Sequence, residues 1–170
     1  MSVKKLAAIA AVASLALVGC SSAAPATSPS APSTPAASAT PSCKTATKAE
    51  ISALFDRWND SLKTGDAKKV VANYGTDSLL LPTVSNKPRF SAAEKEDYFV
   101  HFLENKPVGK IDQNWTSSGC NTAIDSGLYT FTYGATGKSV AARYTFTYTW
   151  DGTQWLISSH HSSGMPEKAS

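Results

Sequence analysis

The sequence predicts an α+β fold: three N-terminal helices packed on a curved antiparallel sheet, with an extended tether ahead of them. Three observations predict it. Two capping-box sequences, Thr47-Lys48-Ala49-Glu50 and Ser91-Ala92-Ala93-Glu94, each open a run whose apolar residues recur at helical spacing. After Gly109 the period changes to alternation and keeps it almost to the end of the chain. Helices first and strands afterwards is the α+β order.

The chain has 170 residues and opens on a segment that is not part of this fold. Lys4 and Lys5 precede an apolar run from Leu6 to Val18, which closes as Leu17-Val18-Gly19-Cys20. About 13 apolar residues are too few to cross a bilayer, so residues 1–19 read as a secretory signal rather than a membrane span. The cysteine at the cut resembles a bacterial lipobox, in which the thiol is acylated and becomes the first mature residue. Cys20 is therefore the expected lipidation site. The expected location is the bacterial cell envelope, with the protein anchored to the membrane and facing outside the cytoplasm. Two or more acyl chains hold a protein there stably, whereas one does so only marginally.

Residues 20–44 read as the tether. From 21 to 42 there are only Ala, Ser, Pro and Thr, and five prolines disfavour helix and sheet. Extended at about 3.1 Å per residue, that stretch reaches roughly 70 Å. Residues 45–168 have globular composition and suffice for one domain with one core. The formal charge of the full chain is +3; without Lys4 and Lys5 it falls to +1, with 14 Lys and Arg against 13 Asp and Glu. That near-neutral balance gives no electrostatic footprint for nucleic acid. Cys43 and Cys120 are left once Cys20 is acylated, and export permits a disulfide between them, the other reading being two free thiols.

The elements follow in order. Ile51, Leu54, Phe55, Trp58 and Leu62 define the apolar face of the first helix, which Gly65 ends. Asp66 caps a short second helix carrying Val70, Val71 and Tyr74, stopped at Gly75. Ser78 to Leu81 is a short strand broken by Pro82. Ser91 opens the third helix, with Tyr98, Phe99, Phe102 and Leu103 on its apolar side, and Lys106-Pro107 ends it. Strands are expected over Lys110–Ser118, Thr122–Tyr133, Val140–Trp150 and from Trp155 to about Ser163, with Asp151-Gly152 at the last hairpin. Between 142 and 150, aromatic residues fill one face and Arg143, Thr145, Thr147 and Thr149 the other. A Thr-rich, charge-poor face is unusual for a solvated surface, and reads as a subunit interface.

Leu79-Leu80-Leu81-Pro82-Thr83-Val84-Ser85, Asp97-Tyr98-Phe99 and Asp125-Ser126-Gly127-Leu128-Tyr129-Thr130-Phe131 carry a resemblance. So do Ala142-Arg143-Tyr144-Thr145-Phe146 and the closing His160-His161-Ser162-Ser163-Gly164-Met165-Pro166-Glu167. Together they resemble bacterial members of the calcium/calmodulin-dependent kinase II association-domain family, within the nuclear transport factor 2-like (polyketide cyclase-like) superfamily. The resemblance implies a cone with a pocket at its open end, and homo-oligomeric assembly through the sheet. Eukaryotic relatives carry this domain behind a kinase domain, which this chain lacks, so kinase activity and calmodulin binding are not carried over.

The candidate pocket residues are Trp58, Tyr98, His101, Arg143, His160, His161 and Ser162. His160 and His161 are adjacent in a strand, so one points into the cone and the other out. Tyr98 and His101 are three apart on a helix and can share a face. Arg143 among apolar residues needs an acidic partner or an anionic ligand, and Asp125 is the partner expected. The sequence has no zinc-ligand spacing, Ser–His–Asp order, phosphate loop or dinucleotide glycine fingerprint, and neither metal nor cofactor is expected. The expected function is binding of a small carboxylate or carbonyl ligand, or homo-oligomeric assembly. The alternative is an enzyme on a small carbonyl compound, of isomerase, cyclase or dehydratase type.

Overall fold

The computed structural model describes residues 42–166; the signal segment, Cys20 and nearly all of the tether lie outside the described residues. Helix α1 spans Lys48–Lys63, α2 Ala67–Val71 and α3 Ala92–Leu103. Strands are β1 Tyr74–Leu81, β2 Pro107–Gly119, β3 Thr122–Tyr133, β4 Ser139–Trp150 and β5 Trp155–Gly164. They form one sheet in the order β1-β5-β4-β3-β2.

Both capping boxes form. The Thr47 and Ser91 hydroxyls accept from the backbone N–H of Glu50 and Glu94, whose carboxylates accept in return from the cap residues. Gly65, at φ +68°, lets the chain turn out of α1. Asp66 caps α2 as expected, but that helix ends at Val71, before Tyr74. The cause is Asn73, whose amide donates to the Lys69 and Val70 carbonyls at 3.1 Å and satisfies the end of the helix. Tyr74 thus belongs to β1, a correction that matters for the site. A second correction concerns strand direction: β1 runs parallel to β5, and only the other three pairings are antiparallel. Crossing from β1 through α3 to the far edge of the sheet, and returning by hairpins, leaves β5 beside β1 with the same sense.

The core lies between α1 and the inner sheet face. Trp58 is 1% exposed and meets Phe99, Phe131, Phe146 and His160 edge-on, with ring centroids 5.2–6.4 Å apart. The Asn59 amide clamps α1 to β2, donating to the Gly109 carbonyl and accepting from its N–H, both at 2.8 Å. At the other end, Cys43 and Cys120 are bonded, their Cα atoms 5.0 Å apart. Lys44 and Asn121 exchange hydrogen bonds beside that bridge, fastening the first described residues to the β2–β3 turn.

One irregularity decides which side chains face the core. Thr147 pairs with Ser159, but Tyr148 pairs with Ile157, so Ser158 is an extra residue, a β-bulge. Its hydroxyl donates to the Thr147 carbonyl at 3.1 Å. Before the bulge Trp155 and Ile157 are buried; after it the buried parity changes to His160.

A second bulge, between Ile111 and Gln113, presses β2 onto β3 at Gly127, where a Cβ would meet the Gln113 carbonyl oxygen at 1.9 Å. At Gly75 the nearest atom to a Cβ would be 3.7 Å away. Gly127→Ala is expected to cost about 2–3 kcal/mol by overpacking, which lowers the melting temperature by about 10 °C. Gly75→Ala should stay within about 2 °C of the parent by the same scale. Thermal unfolding of both variants, followed by circular dichroism, checks this.

Candidate functional site

A cavity of about 50 Å³ sits between α1, α3 and the inner sheet face. Leu80, Pro82, Thr83 and Val84 bring the end of β1 to it, Tyr98, Phe99 and Phe102 come from α3, and Tyr129, Phe131 and Tyr133 from β3. Trp58, His160 and Ser162 complete the polar and aromatic lining, with Val140 and Ala142 from β4.

Of the residues singled out from sequence, Trp58, Tyr98, His160 and Ser162 line this cavity. The other three do not. His161 follows His160 and is exposed, on the outer face. His101 is exposed, 3.4 Å from the Glu104 carboxylate; it shares a face of α3 with Tyr98, but the two meet at a neighbouring surface pocket rather than in this cavity. Arg143 is exposed on the outer face, pairing across the ladder with Leu128, while Asp125 is fully buried on the inner face. The expected Arg143–Asp125 ion pair therefore does not form; strand alternation puts the two on opposite sides. Asp125 instead accepts from Asn114 and from the Tyr144 hydroxyl, both at 3.1 Å. Burial raises its pKa.

Two polar groupings serve the cavity. The first is His160, which is 4% exposed, stacked on Phe146 at 4.0 Å and crossed by Trp58. Its Nδ1 lies 2.8 Å from the Tyr74 hydroxyl, while its Nε2 is buried without a hydrogen-bond partner. Burial, aided by neighbouring His161, depresses the imidazole pKa to about 3, so the ring is neutral. The second is a chain of hydroxyls. Tyr129 donates to Ser162 Oγ at 2.5 Å, and Ser162 and Thr83 share a further hydrogen bond. Burial holds the Tyr129 phenol at a pKa of about 12, so it keeps its proton. Three hydroxyls carry three hydrogens and spend two on one another, which leaves one for an occupant.

Sequence reasoning missed Tyr74, Thr83 and Tyr129. Thr83 and Tyr129 stood in the motif runs already noted, but nothing in spacing reveals that their hydroxyls meet Ser162. Among the described residues no three His, Cys, Asp or Glu side chains gather as metal ligands do. The site offers neutral donors on aromatic walls, an arrangement suited to orienting the oxygens of a small planar molecule.

A neutral buried histidine carries a stability signature. Unfolded, His160 titrates near 6.5; folded, near 3. Between those values the unfolded chain binds a proton that the folded one does not, so stability falls as pH drops below 6.5. The expected loss is about 2 kcal/mol by pH 5. Carboxylates with lowered pKa, such as Glu94 at about 2, lose their contribution only below 4.5, and Asp125, with its raised pKa, acts with the opposite sign. Urea unfolding of the parent and of His160→Gln between pH 7.5 and 5 checks this. The parent should lose stability and the variant should change much less.

The family model of the calcium/calmodulin-dependent protein kinase II association domain matches residues 47–166. A comparison with curated proteins returns no match. Among solved structures, a calcium/calmodulin-dependent protein kinase II association domain protein from Xanthomonas campestris is 47% identical over 70% of this chain and 88% of its own, with a TM-score of 0.67. An iota-carbonic anhydrase from a cyanobacterium, complexed with bicarbonate, is 23% identical over 72% of this chain and 94% of its own, with a TM-score of 0.65. An NTF2-like protein from Pseudomonas putida is 18% identical over 68% of this chain and 84% of its own, with a TM-score of 0.60. At the last two identities the likeness is one of fold, the NTF2-like cone. The family match and the 47% identity place the chain: it belongs to the calcium/calmodulin-dependent protein kinase II association-domain family.

Proposed function

We propose that this protein is an exported lipoprotein whose cone domain binds a small planar oxygen-bearing ligand, a carboxylate or an anion of bicarbonate size, in the cavity beneath α1. The observation that carries the reading is the pairing of an unpartnered, buried His160 Nε2 with a hydroxyl chain that has one hydrogen to give. Buried polar groups are ordinarily satisfied, and an occupant of the cavity that His160 lines, reaching Nε2, would satisfy this one. Size narrows the class. At about 10–15 Å³ for each water-sized occupant, a 50 Å³ cavity takes about three to five non-hydrogen atoms. Formate, acetate and bicarbonate fit; a polyketide does not.

A second reading is catalytic, with the cavity acting on such a compound. The fold likeness to the bicarbonate-bound iota-carbonic anhydrase favours it and names carbon dioxide hydration as the reaction to assay first. The family also suggests self-assembly. The outer face supports assembly through the sheet: Thr145 and Thr147 are half-buried there, and Trp115 stands 63% exposed on β2.

Isothermal titration of acetate and of bicarbonate into the full chain tests the binding reading. Saturable binding is expected, and Ser162→Ala should weaken it about tenfold, the loss of about one hydrogen bond. No heat from either anion, or equal affinity in the variant, would contradict it. A pH-indicator assay of carbon dioxide hydration on the same samples decides between binder and enzyme. Anchoring is tested separately: Cys20→Ala should move the protein from the membrane fraction to the soluble one and abolish fatty-acid labelling.

A further inference from the structure

Tyr74 is not among the residues that line the cavity, yet its hydroxyl meets His160, which is. Its ring is buried, 6.0 Å from Phe99 between centroids, with the Lys95 ammonium 5.8 Å from its centre. Lys95 is itself buried and donates to the Ser78 and Phe90 carbonyls, which holds α3 against β1 behind the ring. The phenol is thereby fixed with its oxygen 2.8 Å from His160 Nδ1.

We infer that Tyr74 is a positioning residue that holds His160 in the tautomer with hydrogen on Nε2, so that the cavity presents a neutral N–H donor and recognises its ligand through an acceptor oxygen. The ligand half of this rests on the binding reading above; the tautomer half does not.

Counting hydrogens decides the tautomer. Nδ1 is the only hydrogen-bond partner of the Tyr74 hydroxyl among the described residues. If Nδ1 carried the hydrogen, the phenol would have to accept it. Its own hydrogen would then have no acceptor, and the Nε2 lone pair would have no donor. With hydrogen on Nε2, the phenol donates to Nδ1 and only the Nε2–H waits for a partner. A phenol O–H is also a stronger donor than a neutral imidazole N–H, and imidazole nitrogen the stronger acceptor. The Trp58 indole nitrogen, which bears on the Tyr74 phenol without a hydrogen bond of regular geometry, is a donor too, and so favours a phenol oxygen that is not already accepting. Leaving two buried groups unsatisfied is costlier than leaving one.

The consequence is specificity. A bare Nε2 would select ligands with a hydrogen to give, such as a carboxylic acid or an alcohol, and would make His160 a candidate general base. An Nε2–H selects the acceptor oxygen of a carboxylate, bicarbonate or carbonyl. If the cavity is catalytic, His160 then polarises an oxygen rather than abstracting a proton.

The test is nuclear magnetic resonance of the full chain labelled with nitrogen-15 at histidine, three residues in all. Long-range proton–nitrogen correlations show which ring nitrogen bears hydrogen, and His160→Gln assigns the signal. The expected result is a single Nε2–H tautomer for His160 at pH 7, retained on adding acetate. Tyr74→Phe removes the hydrogen that Nδ1 accepts; the variant should populate the Nδ1–H tautomer and bind acetate about tenfold more weakly. An Nδ1–H tautomer in the parent, or an unchanged tautomer in Tyr74→Phe, overturns the inference. If that variant does not fold, the parent spectrum decides alone. Failure of acetate to bind the parent, with the tautomer as expected, overturns the ligand reading and upholds the role of Tyr74.

Discussion

The β-bulge at Ser158 is the constraint on which the site depends. A regular β5 would keep Trp155, Ile157, Ser159 and His161 on one face. One extra residue changes the parity, so that Ile157 closes the core above the bulge while His160 and Ser162 face the cavity below it. The placement of His160 and Ser162 in the site depends on that change. Ser162 meets the Tyr129 and Thr83 hydroxyls because it faces inward, and His160 meets Tyr74 because β1 runs parallel alongside β5. The same shift turns His161 out toward the Thr-rich face, so one irregularity serves both surfaces.

What the cavity offers is donors without charge. The phenols of Tyr98 and Tyr129 in its wall and of Tyr74 behind it have their pKa values raised by burial, and the imidazole has its own lowered, so all stay neutral at physiological pH. Cations near it are committed elsewhere. Lys95 is held by two carbonyls, and Arg89 is paired with Asp97 while lying over the Tyr98 ring. Neutral donors in an aromatic enclosure hold a small anion by direction rather than by Coulomb attraction. Such a grip favours a planar molecule whose oxygens match the donor positions, and lets it leave again.

Much of the architecture was legible in the sequence because the relevant physics is local. Both capping boxes, the start and end of β3 and the one-in, one-out division of His160 and His161 follow from side-chain spacing alone. What was not legible depends on partners far away in sequence. The end of α2 is set by the Asn73 amide turning back onto carbonyls, and an Asn in that place reads equally as part of the helix. The parity of β5 is set by a bulge that requires β4 to define it. Arg143 and Asp125 lie on opposite faces once β3 and β4 are in register, a fact that a charge-pairing argument on neighbouring strands overlooks. The hydroxyl chain joins residues 83, 129 and 162, and no local pattern announces it.

The central claim is that the cavity lining holds a small planar oxygen ligand through His160 and Ser162. A crystal structure of the protein grown with bicarbonate tests it most directly. The account predicts a planar anion inside the cavity, with one oxygen within hydrogen-bond distance of His160 Nε2 and another facing the Ser162–Thr83 hydroxyls. A cavity without the anion at a concentration that saturates binding in solution would contradict it, as would an anion bound only on the outer face.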